Sequence, residues 1–410
     1  MSGIGPGTLE RFLRITLPLS GMNFLTQCAR AGLAVVGPVL AVEYGFTATE
    51  LGLLSAVLFA LYGLAQLPVG LALDMFGPRR VQSVMALTAA AGFLMFSFAD
   101  GLTGFAIARA VTGVGVAAGL MGMMKGISQW FPRTRLAGMT GIGLVVGGLG
   151  GLAATSPVAA LMPVIGWRGV FVIFSLIALA VSLWNFLSLR DPPGFQRPTR
   201  TLADEIRLLG RVLTDRHFWR LTPMVAFLSV MNFTYQSLWA GPWLRDVAGL
   251  GTVDRADTLA IYALGMMIGS AAFGQLASRL TERGVSAIAV PAVCSVALLA
   301  IQTTLVLQPA GRWQVTLLWM VFGAFASSGP AGYAAIANVF PPELTGRVTT
   351  AINATMLAAV FLLQYAIGWI LDQWPRTEAG GWDARGYAWV IGLTLGLQAL
   401  ATLWALRKGK

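Results

Sequence analysis

The chain has 410 residues, of which 56% are apolar and only 11% are charged, and its mean hydropathy is +0.73. A water-facing surface needs about a quarter to a third charged residues, so this composition excludes an ordinary soluble protein. Lysine and arginine outnumber aspartate and glutamate by 28 to 17, which gives a net charge of +11. Two cysteines, Cys28 and Cys294, and a single histidine, His217, are too few for a disulfide framework or a Cys/His zinc cluster.

The apolar residues fall into twelve segments that are each long enough to cross the hydrocarbon layer, which takes about 20 helical residues. The predicted spans are 15–41, 48–73, 79–99, 102–130, 137–163, 168–189, 218–243, 257–280, 285–308, 313–339, 348–373 and 386–406. The first span lacks the short apolar core and cleavage site of a signal peptide, so we expect no removable leader. The sequence predicts an all-α integral membrane protein with twelve transmembrane helices.

One long connection, residues 190–217, separates the sixth span from the seventh. It begins with the helix-stopping run Asp191-Pro192-Pro193-Gly194, and Thr201 to Glu205 is typical of a helix cap. Apolar residues then recur at helical spacing among arginines, which predicts a short amphipathic helix on the membrane surface. These residues are Leu202, Ile206, Leu209 and Leu213. The predicted domains are an N-terminal six-helix bundle (1–189), a linker (190–217) and a C-terminal six-helix bundle (218–410).

The lysines and arginines are distributed unevenly between the two sides of the membrane. With both termini on one side, that side holds 19 lysines and arginines and the opposite side holds six. The positive-inside rule places the termini and the central loop in the cytoplasm. Most of the basic excess therefore reflects orientation, and it gives no reason to expect nucleic acid as a partner. Arg30, Arg109 and Lys125 lie within spans and need another explanation.

The two halves of the chain share sequence markers. Span one contains Met22-Asn23-Phe24-x-x-Gln27-x-x-x-Ala31-Gly32, and span seven contains Met231-Asn232-Phe233-x-x-Gln236-x-x-x-Ala240-Gly241. Phe131-Pro132 returns as Phe340-Pro341. Six spans bring the chain back to its starting side, so the two copies run parallel and form two pseudo-symmetric bundles. Such an arrangement predicts a binding site between the copies near the middle of the membrane.

The loop between spans two and three reads Gly70-Leu-Ala-Leu-Asp74-Met-Phe-Gly77-Pro-Arg79-Arg80. It resembles the G-x-x-x-D-x-x-G-x-R-R signature of the major facilitator superfamily, and the resemblance extends over the whole chain. We expect Gly70 to allow close helix packing, Gly77 to make the turn, and Asp74 to accept hydrogen bonds from a helix N-terminus or an arginine. The resemblance implies that this loop gates the cytoplasmic side. The equivalent second-half segment has Ser278 in place of the acid, so we expect a weaker latch there.

Span four carries Arg109, then Lys125, and ends in Trp130-Phe131-Pro132. This pattern is similar to the fourth helix of organic-anion and sugar-phosphate permeases of the superfamily. Some proton-coupled members have a glutamate seven residues after the arginine, where this chain has Val116. Span five is rich in glycine before Pro157, which indicates close helix packing. It also resembles the glycine-rich fifth helix that is enriched in exchangers of the superfamily.

Two polar stripes are candidates for substrate binding. Asn23, Gln27 and Arg30 share one face of span one, because their spacing is that of a helix. The matching stripe in span seven consists of Asn232, Tyr235, Gln236, Trp239 and Trp243. One wall would thus offer a guanidinium group suited to a carboxylate or phosphate, and the other would offer aromatic faces suited to a flat or apolar body.

Further residues could complete the lining. Lys125 could bind an anion or could extend its amine to the membrane interface, and Arg109 could contact substrate or bond helix carbonyls. Each of the remaining candidates could instead form an interhelical hydrogen bond. They are Tyr62, Gln66, Tyr333, Asn353 and Gln364.

The acids all map to span ends or loops, so we expect no counter-ion for Arg30 and Lys125 in the interior. An interior with excess positive charge favours an anion. It also lacks an obvious proton carrier, which favours exchange or facilitated transport over proton symport, although Glu43 or Asp74 could still couple transport to protons. The methionines of spans four and eight are explained by packing, so we expect neither a metal site nor a cofactor.

These observations predict a monomeric transporter of the bacterial inner membrane that moves a small organic anion by alternating access, with no enzymatic activity. Arg30 would bind the anionic group, Tyr235 and Trp239 would hold the body, and Asp74 with Arg79 and Arg80 would gate the cytoplasmic side. The alternative is a multidrug/proton antiporter that exports amphipathic compounds, favoured by the aromatic wall. A third possibility is a transporter-like receptor that binds ligand without moving it.

Overall fold

The computed structural model describes residues 10, 12–189, 202–286, 288–309, 311–341, 344–378 and 380–407. These residues are almost entirely helical, with an isolated extended pair at Arg376 and Trp382. The helices are α1 Leu17–Glu43, α2 Ala48–Phe98, α3 Gly101–Val116, α4 Gly119–Trp130, α5 Arg133–Ala153, α6 Ser156–Ser188, α7 Leu202–Leu213, α8 Arg216–Thr234, α9 Ala240–Asp246, α10 Thr252–Glu282, α11 Ala289–Val306, α12 Arg312–Ala326, α13 Tyr333–Ala337, α14 Thr345–Leu371 and α15 Ala384–Leu406.

Each of the twelve predicted spans coincides with helical residues, and nine helices of the described chain are long and apolar enough to cross a membrane. Spans two and three are joined in α2, where the helix breaks at Gly77 with φ 77°. Span five ends and span six begins within α6, at Gly166 with φ 68°. Positive φ strongly favours glycine, so both breaks lie where the chain has the residue they require. The all-helical membrane fold is confirmed.

The chain divides into two compact units. Unit 1 is made of the described residues of Met1–Gly32 and Val57–Leu202, and unit 2 of those of Leu33–Ala56 and Ala203–Lys410. The C-terminal part of α1 and the beginning of α2 therefore belong to unit 2. The predicted six-helix bundles follow from the sequence repeat, and their boundaries remain a prediction.

Glycines bring α5 close to α1 in unit 1. A Cβ at Gly147 would overlap the side-chain amide of Asn23, and one at Gly150 would overlap the backbone carbonyl of Phe24. Cys28 also lies against the same helix, with its Sγ 3.3 Å from the carbonyl oxygen of Gly150. Small residues allow such backbone approach between membrane helices. The predicted close packing of the glycine-rich span is confirmed at these two positions.

Unit 2 contains a chain of buried polar side chains between α11 and α15. The amide of Gln302 donates to Gln398 Oε1 at 2.6 Å, and Thr394 donates to Gln302 Oε1 at 3.0 Å. The hydroxyls of Ser295 and Thr402 lie 2.7 Å apart. Interhelical hydrogen bonds of this kind hold membrane helices together without a hydrophobic driving force.

The N-terminus of α2, which belongs to unit 2, has all of its first backbone donors satisfied. Thr47 N donates to Glu50 Oε2 at 2.8 Å and Glu50 N donates to Thr47 Oγ1 at 3.1 Å, a reciprocal capping box. The carboxylate of Asp372, which follows α14, accepts from Ala48 N at 2.9 Å and from Thr49 N at 2.8 Å. It also accepts from the Thr49 hydroxyl at 2.5 Å. A helix leaves four such donors without intrahelical partners, and here every one has an acceptor.

The linker contains the predicted amphipathic helix, α7. Its Val212 is fully buried in a cluster with Phe218, Ile336 and Val348, and Leu209 and Leu213 pack against the same cluster. Part of the apolar face thus packs on other helices of unit 2, whereas Ile206 is 54% exposed, and a position on the membrane surface stays a prediction. The predicted helix stop at 191–194 and the cap beginning at Thr201 lie outside the described residues.

The N-terminus of α15 is capped by Asp383, which accepts a hydrogen bond from Arg385 N at 2.8 Å. The Arg385 side chain donates to the same carboxylate, and these bonds lower the pKa of Asp383 below its usual value. This loop therefore carries an ionised acid at neutral pH.

Candidate functional site

Unit 1 places Arg30 among buried polar side chains. Arg30 of α1 is 6% exposed, and Tyr62 and Gln66 of α2 are 7% and 6% exposed. The charge of Arg30 acts on the Tyr62 hydroxyl, to which the Gln66 side chain is hydrogen-bonded. Tyr62 and Gln66 are one helical turn apart, so both project from the same face of α2. The structure thus brings together three residues that the sequence proposed from two different spans.

The other members of the span-one stripe lie on the same helix. Asn23 is buried against Gly147 of α5. The Oε1 atom of Gln27 is buried and has no hydrogen-bond partner among the described residues. Gln27 lies one turn before Arg30, so a polar group of a ligand at the guanidinium could also reach the amide.

Lys125 has a counter-ion, contrary to the expectation from sequence. Its ammonium group forms a salt bridge with the carboxylate of Asp74. The side chains of Lys125 and Asp74 are 24% and 48% exposed, so the pair lies at the edge of the buried region. Asp74 was expected to bind an arginine or a helix N-terminus, and it binds a lysine of α4 instead. The pair is neutral overall, which removes Lys125 from the excess positive charge of the interior.

Arg109 is held by the protein backbone. It is 1% exposed, and its Nη1 donates to the carbonyl oxygen of Ala29 at 2.7 Å. A buried guanidinium that bonds a helix carbonyl joins two helices. Of the two interpretations that the sequence left open, this contact supports the structural one.

The structure agrees with some of the features expected of the predicted gating loop and not with others. Gly77 has the positive φ expected of a turn. Arg79 donates from Nε to the Phe186 carbonyl oxygen at 2.9 Å, and its guanidinium carbon lies 4.8 Å from the centre of the Phe186 ring. A Cβ at Gly70 would meet no atom within 4 Å, so the expectation of close helix packing there is wrong. Arg80 is exposed.

In unit 2, span seven changes its helical form at the predicted aromatic stripe. Tyr235–Trp239 is a π-helix, a form that is rare and is frequent at functional sites. The Tyr235 ring packs on Trp319, with centroids 5.4 Å apart, and the Trp239 ring packs on Trp382 at 6.4 Å. The sequence predicted that Tyr235 and Trp239 share one aromatic face, whereas in the structure their rings pack on different neighbours. Both side chains are buried within unit 2.

The remaining candidates of unit 2 mostly make interhelical contacts. Tyr262 donates to the backbone oxygen and to Oδ1 of Asn232, at 3.1 Å each. The Gln364 amide donates to the Thr234 carbonyl oxygen and to Ser237 Oγ. Tyr333 is directed at Met356 Sδ, 3.9 Å away. Gln236 is buried, and Asn353 is partly exposed on α14.

No group of three potential metal ligands comes together among the residues that the structure describes. The polar side chains described above are hydrogen-bond donors and acceptors, and a guanidinium such as that of Arg30 has the chemistry to bind an anion.

Residues 19–310 match the family model described as Major Facilitator Superfamily. The chain belongs to this superfamily. The membership confirms the fold class that the loop at Gly70 to Arg80 and the duplicated halves indicated.

Curated relatives of this superfamily member are distant. It is 24% identical over 277 residues to the "Probable sulfoacetate transporter SauU" of Cupriavidus necator, covering 64% of each chain. It is 28% identical over 173 residues to the "Probable L-galactonate transporter" of Escherichia coli, covering 40% of this chain and 36% of that protein. The "Membrane sensor protein UhpC" of Salmonella typhimurium is 20% identical over 385 residues, covering 87% of this chain and 83% of that one. The chain thus spans less than two thirds of the length of the first two relatives. None of these three names describes an enzyme, which agrees with the expectation of no enzymatic activity.

Solved structures of the superfamily show the same fold. The nucleoside transporter NupG aligns with a TM-score of 0.74 at 14% identity, covering 96% of this chain and 99% of that one. A bacterial homologue of the human lysosomal transporter Spinster aligns with a TM-score of 0.73 at 18% identity, covering 98% and 97%. At these identities the likeness concerns the fold alone.

Sequence reasoning missed two groups of residues. Trp319 and Trp382, which pack on the span-seven aromatics, lie in distant segments and have no helical spacing that relates them to Tyr235 or Trp239. Asp372 was assigned only to a span end, although its contacts with Ala48 and Thr49 cap another helix. The signal available at that helix was the sequence Thr47-x-x-Glu50, a capping-box pattern.

Proposed function

We propose that this member of the major facilitator superfamily is a secondary transporter of a small organic anion, a carboxylate or a phosphorylated compound, and that it works by alternating access. The observation that carries the proposal is Arg30, a guanidinium buried in the middle of a membrane-spanning helix beside Tyr62 and Gln66. A guanidinium binds carboxylate or phosphate through two parallel hydrogen bonds. Ionisable groups inside a membrane span are costly and mark sites of function.

The other two cations of the spans make contacts that fit a structural role. Lys125 is paired with Asp74, and Arg109 bonds the Ala29 carbonyl oxygen. Arg30 is therefore the span cation that we propose for the anionic group, because a guanidinium suits a carboxylate or phosphate.

The names of the relatives are consistent with an anion. Sulfoacetate bears a sulfonate and a carboxylate, and L-galactonate bears a carboxylate and several hydroxyl groups. We extend to this chain the shared chemistry of these compounds, which is an anionic group and additional oxygen atoms.

We propose substrate contacts for each unit by itself. In unit 1 the candidates are Arg30, Asn23, Gln27 and Tyr62, and in unit 2 they are Asn232, Tyr235, Gln236, Trp239, Tyr333 and Asn353. Lys125 and Asp74 together with Arg79 and Arg80 are proposed to gate the side that the charge distribution assigns to the cytoplasm.

Exchange or facilitated transport is proposed over proton symport. The sequence has no aspartate or glutamate in the middle of a span, and Asp74, at the edge of one, is paired with Lys125. A proton carrier needs an acid that changes its protonation state during the cycle, and the middles of the spans offer none. We further propose a monomer in a bacterial inner membrane with both termini cytoplasmic.

Uptake into proteoliposomes tests the proposal. The purified protein is reconstituted and supplied with labelled L-galactonate or sulfoacetate, with the same unlabelled anion or buffer inside, and with or without a proton gradient. We expect counterflow that depends on internal anion and is insensitive to the gradient. If Arg30→Ala transports anions as well as the original chain does and cationic dyes are moved as well, the anion proposal is wrong and the multidrug alternative gains. Saturable binding without any flux would indicate a receptor, as the name of the sensor relative would suggest.

A further inference from the structure

Arg255 of unit 2 is buried in the first turn of α10 without a partner for its charge. The residue is 6% exposed, and its guanidinium forms no hydrogen bond or salt bridge with any residue that the structure describes. Arg109, which is buried too, shows the usual arrangement, because its Nη1 donates to the Ala29 carbonyl oxygen. The fully enclosed side-chain nitrogens that lack a partner do not include those of Arg255, so each of them keeps some surface open to solvent.

The acid beside Arg255 is fully engaged by other donors. The charges of Arg245 and Asp246 both act on Arg255. The Asp246 carboxylate accepts from Arg245 Nε at 2.6 Å and from Arg245 Nη2 at 3.1 Å. It also accepts from the Trp382 backbone N–H at 3.1 Å and from the Tyr387 hydroxyl at 2.8 Å. A carboxylate has about four acceptor positions, so Asp246 has none left for Arg255.

The acids of α10 itself do not serve Arg255 either. Asp254, the preceding residue, forms a salt bridge with Arg312 at 2.9 Å. Asp257 lies two residues further along the helix, which turns about 100° per residue, so it projects from the opposite side. Among these groups Arg255 is the positive charge that the described part of the chain leaves without a hydrogen-bonded counter-ion.

A buried charge without a partner is costly, because it loses its hydration and gains no ion pair in exchange. Arg255 also differs from Arg30 in its depth. It lies at the start of a helix of 31 residues that is long enough to cross the membrane, whereas Arg30 lies in the middle of its span. The charge distribution assigns this end of α10 to the outer side.

We propose that Arg255 binds an oxyanion, a carboxylate, sulfonate or phosphate group, at the outer edge of unit 2, in a site separate from that of Arg30. A guanidinium fits such a group through two parallel hydrogen bonds. The guanidinium of Arg245 adds positive charge, and Asp246 fixes its position. The inference goes beyond the proposed function, since it holds whether or not Arg30 binds substrate. The oxyanion can be a dissolved solute or the phosphate of a lipid headgroup.

Sulfate is the probe, because it has the chemistry of an oxyanion and no organic body. Thermal stabilisation of the purified full chain by sulfate is compared with that by chloride at equal ionic strength, in lipid-free detergent. Every protein carries Arg30→Gln, which disables the site proposed for transport. Adding Arg255→Gln should weaken sulfate binding by about 10-fold or more, because a charge-assisted contact is lost. Arg255→Lys keeps the charge and should retain part of the affinity.

The matched control is Arg385→Gln, another arginine of unit 2 on the same predicted side. Arg385 pairs with Asp383, and its side chain is 69% exposed. Sulfate binding should be unchanged in this variant.

Stability without an oxyanion separates a binding role from a structural one. In chloride, Arg255→Gln removes an unpaired buried charge and should melt at the same temperature as the protein with Arg255 or at a higher one. Sulfate should then stabilise the protein with Arg255 more than the variant. If Arg255→Gln melts at a lower temperature in chloride and responds to sulfate as the protein with Arg255 does, the arginine is structural and the proposal is wrong.

Nanodiscs distinguish the two sources of the oxyanion. For a lipid phosphate, phosphatidylglycerol discs should stabilise the protein more than phosphatidylcholine discs do, the difference should vanish in Arg255→Gln, and sulfate should act in lipid-free detergent alone. For a dissolved anion, sulfate should act in phosphatidylcholine discs as it does in detergent. If neither sulfate nor phosphatidylglycerol has an effect that depends on Arg255, the inference is overturned, and the proposed transport through Arg30 is unaffected.

Discussion

Replacing Asp372 should loosen the N-terminus of α2 at two specific amides. In Asp372→Ala the backbone N–H groups of Ala48 and Thr49 lose their acceptor, and the Thr49 hydroxyl loses its own. The capping box of Thr47 and Glu50 is independent of Asp372 and should persist. The perturbation is therefore confined to the first turn of one helix.

The magnitude follows from the contacts. Loss of an N-terminal cap costs about 0.5–2 kcal/mol, and Asp372 serves two backbone donors, which places the expected cost in the upper half, about 1–2 kcal/mol. This free energy corresponds to a local opening that is about 5- to 30-fold more frequent. Asp372→Asn keeps an acceptor and loses the charge near a helix N-terminus, which is worth about 0.3–1 kcal/mol. Its effect should be smaller, about 2- to 5-fold.

Hydrogen exchange read by mass spectrometry, in lipid nanodiscs, measures this opening in peptides that cover residues 44–52. We expect hydrogen exchange at Ala48 and Thr49 to be fastest in Asp372→Ala, slower in Asp372→Asn and slowest in the unsubstituted protein. Glu50→Gln, which weakens the capping box, is the control and should speed exchange mainly at Thr47. Unchanged exchange at Ala48 and Thr49 in Asp372→Ala, in a protein that is still folded, would refute the role of Asp372.

Two other predictions concern unit 1. In a double-mutant cycle of Asp74→Asn and Lys125→Gln, the coupling energy for thermal stability should be up to about 1 kcal/mol, since the pair is partly exposed; strictly additive effects would argue against the pair. Gly150→Val should be destabilising by about 1–3 kcal/mol, because the new side chain meets the Phe24 carbonyl, whereas Gly141→Val enters open space and should change the melting temperature little. Equal shifts in the two glycine variants would contradict the packing of α5 on α1.

The fold was largely predictable because a membrane imposes simple rules. Length, apolar composition and the need to satisfy the backbone inside lipid together predict helices of known size. The turn at Gly77 followed from a residue that tolerates positive φ. The breaks inside spans four and seven did not follow, since a uniform apolar run has no signal for a change of helical form.

Contacts between residues that lie far apart in the chain could not be predicted from the sequence. Lys125 and Asp74 lie on different spans, and the acid was placed at a membrane edge where its reach could not be judged. The stripe of span seven assumed the spacing of an α-helix, and the π-helix Tyr235–Trp239 changed which neighbours its side chains meet. The sequence does not distinguish lipid from protein as the contact of the apolar face of α7, and the buried cluster that contains Val212 includes residues from four other helices.

Within span one the prediction was more successful, because helical periodicity alone decides which residues share a face. Arg30 could be singled out as a buried cation of a mid-span segment, and Tyr62 and Gln66 as polar residues one turn apart. The structure brings these three together in unit 1.

The most direct test of the central claim is the affinity of the purified protein for an organic anion, compared between the original chain, Arg30→Gln and a control. Arg168→Gln is the matched control, since Arg168 pairs with Asp100 and its side chain is 43% exposed. Loss of a charge-assisted contact should weaken binding by about 10- to 150-fold in Arg30→Gln and leave it unchanged in the control. An anion that binds Arg30→Gln within twofold of the original affinity would contradict the account.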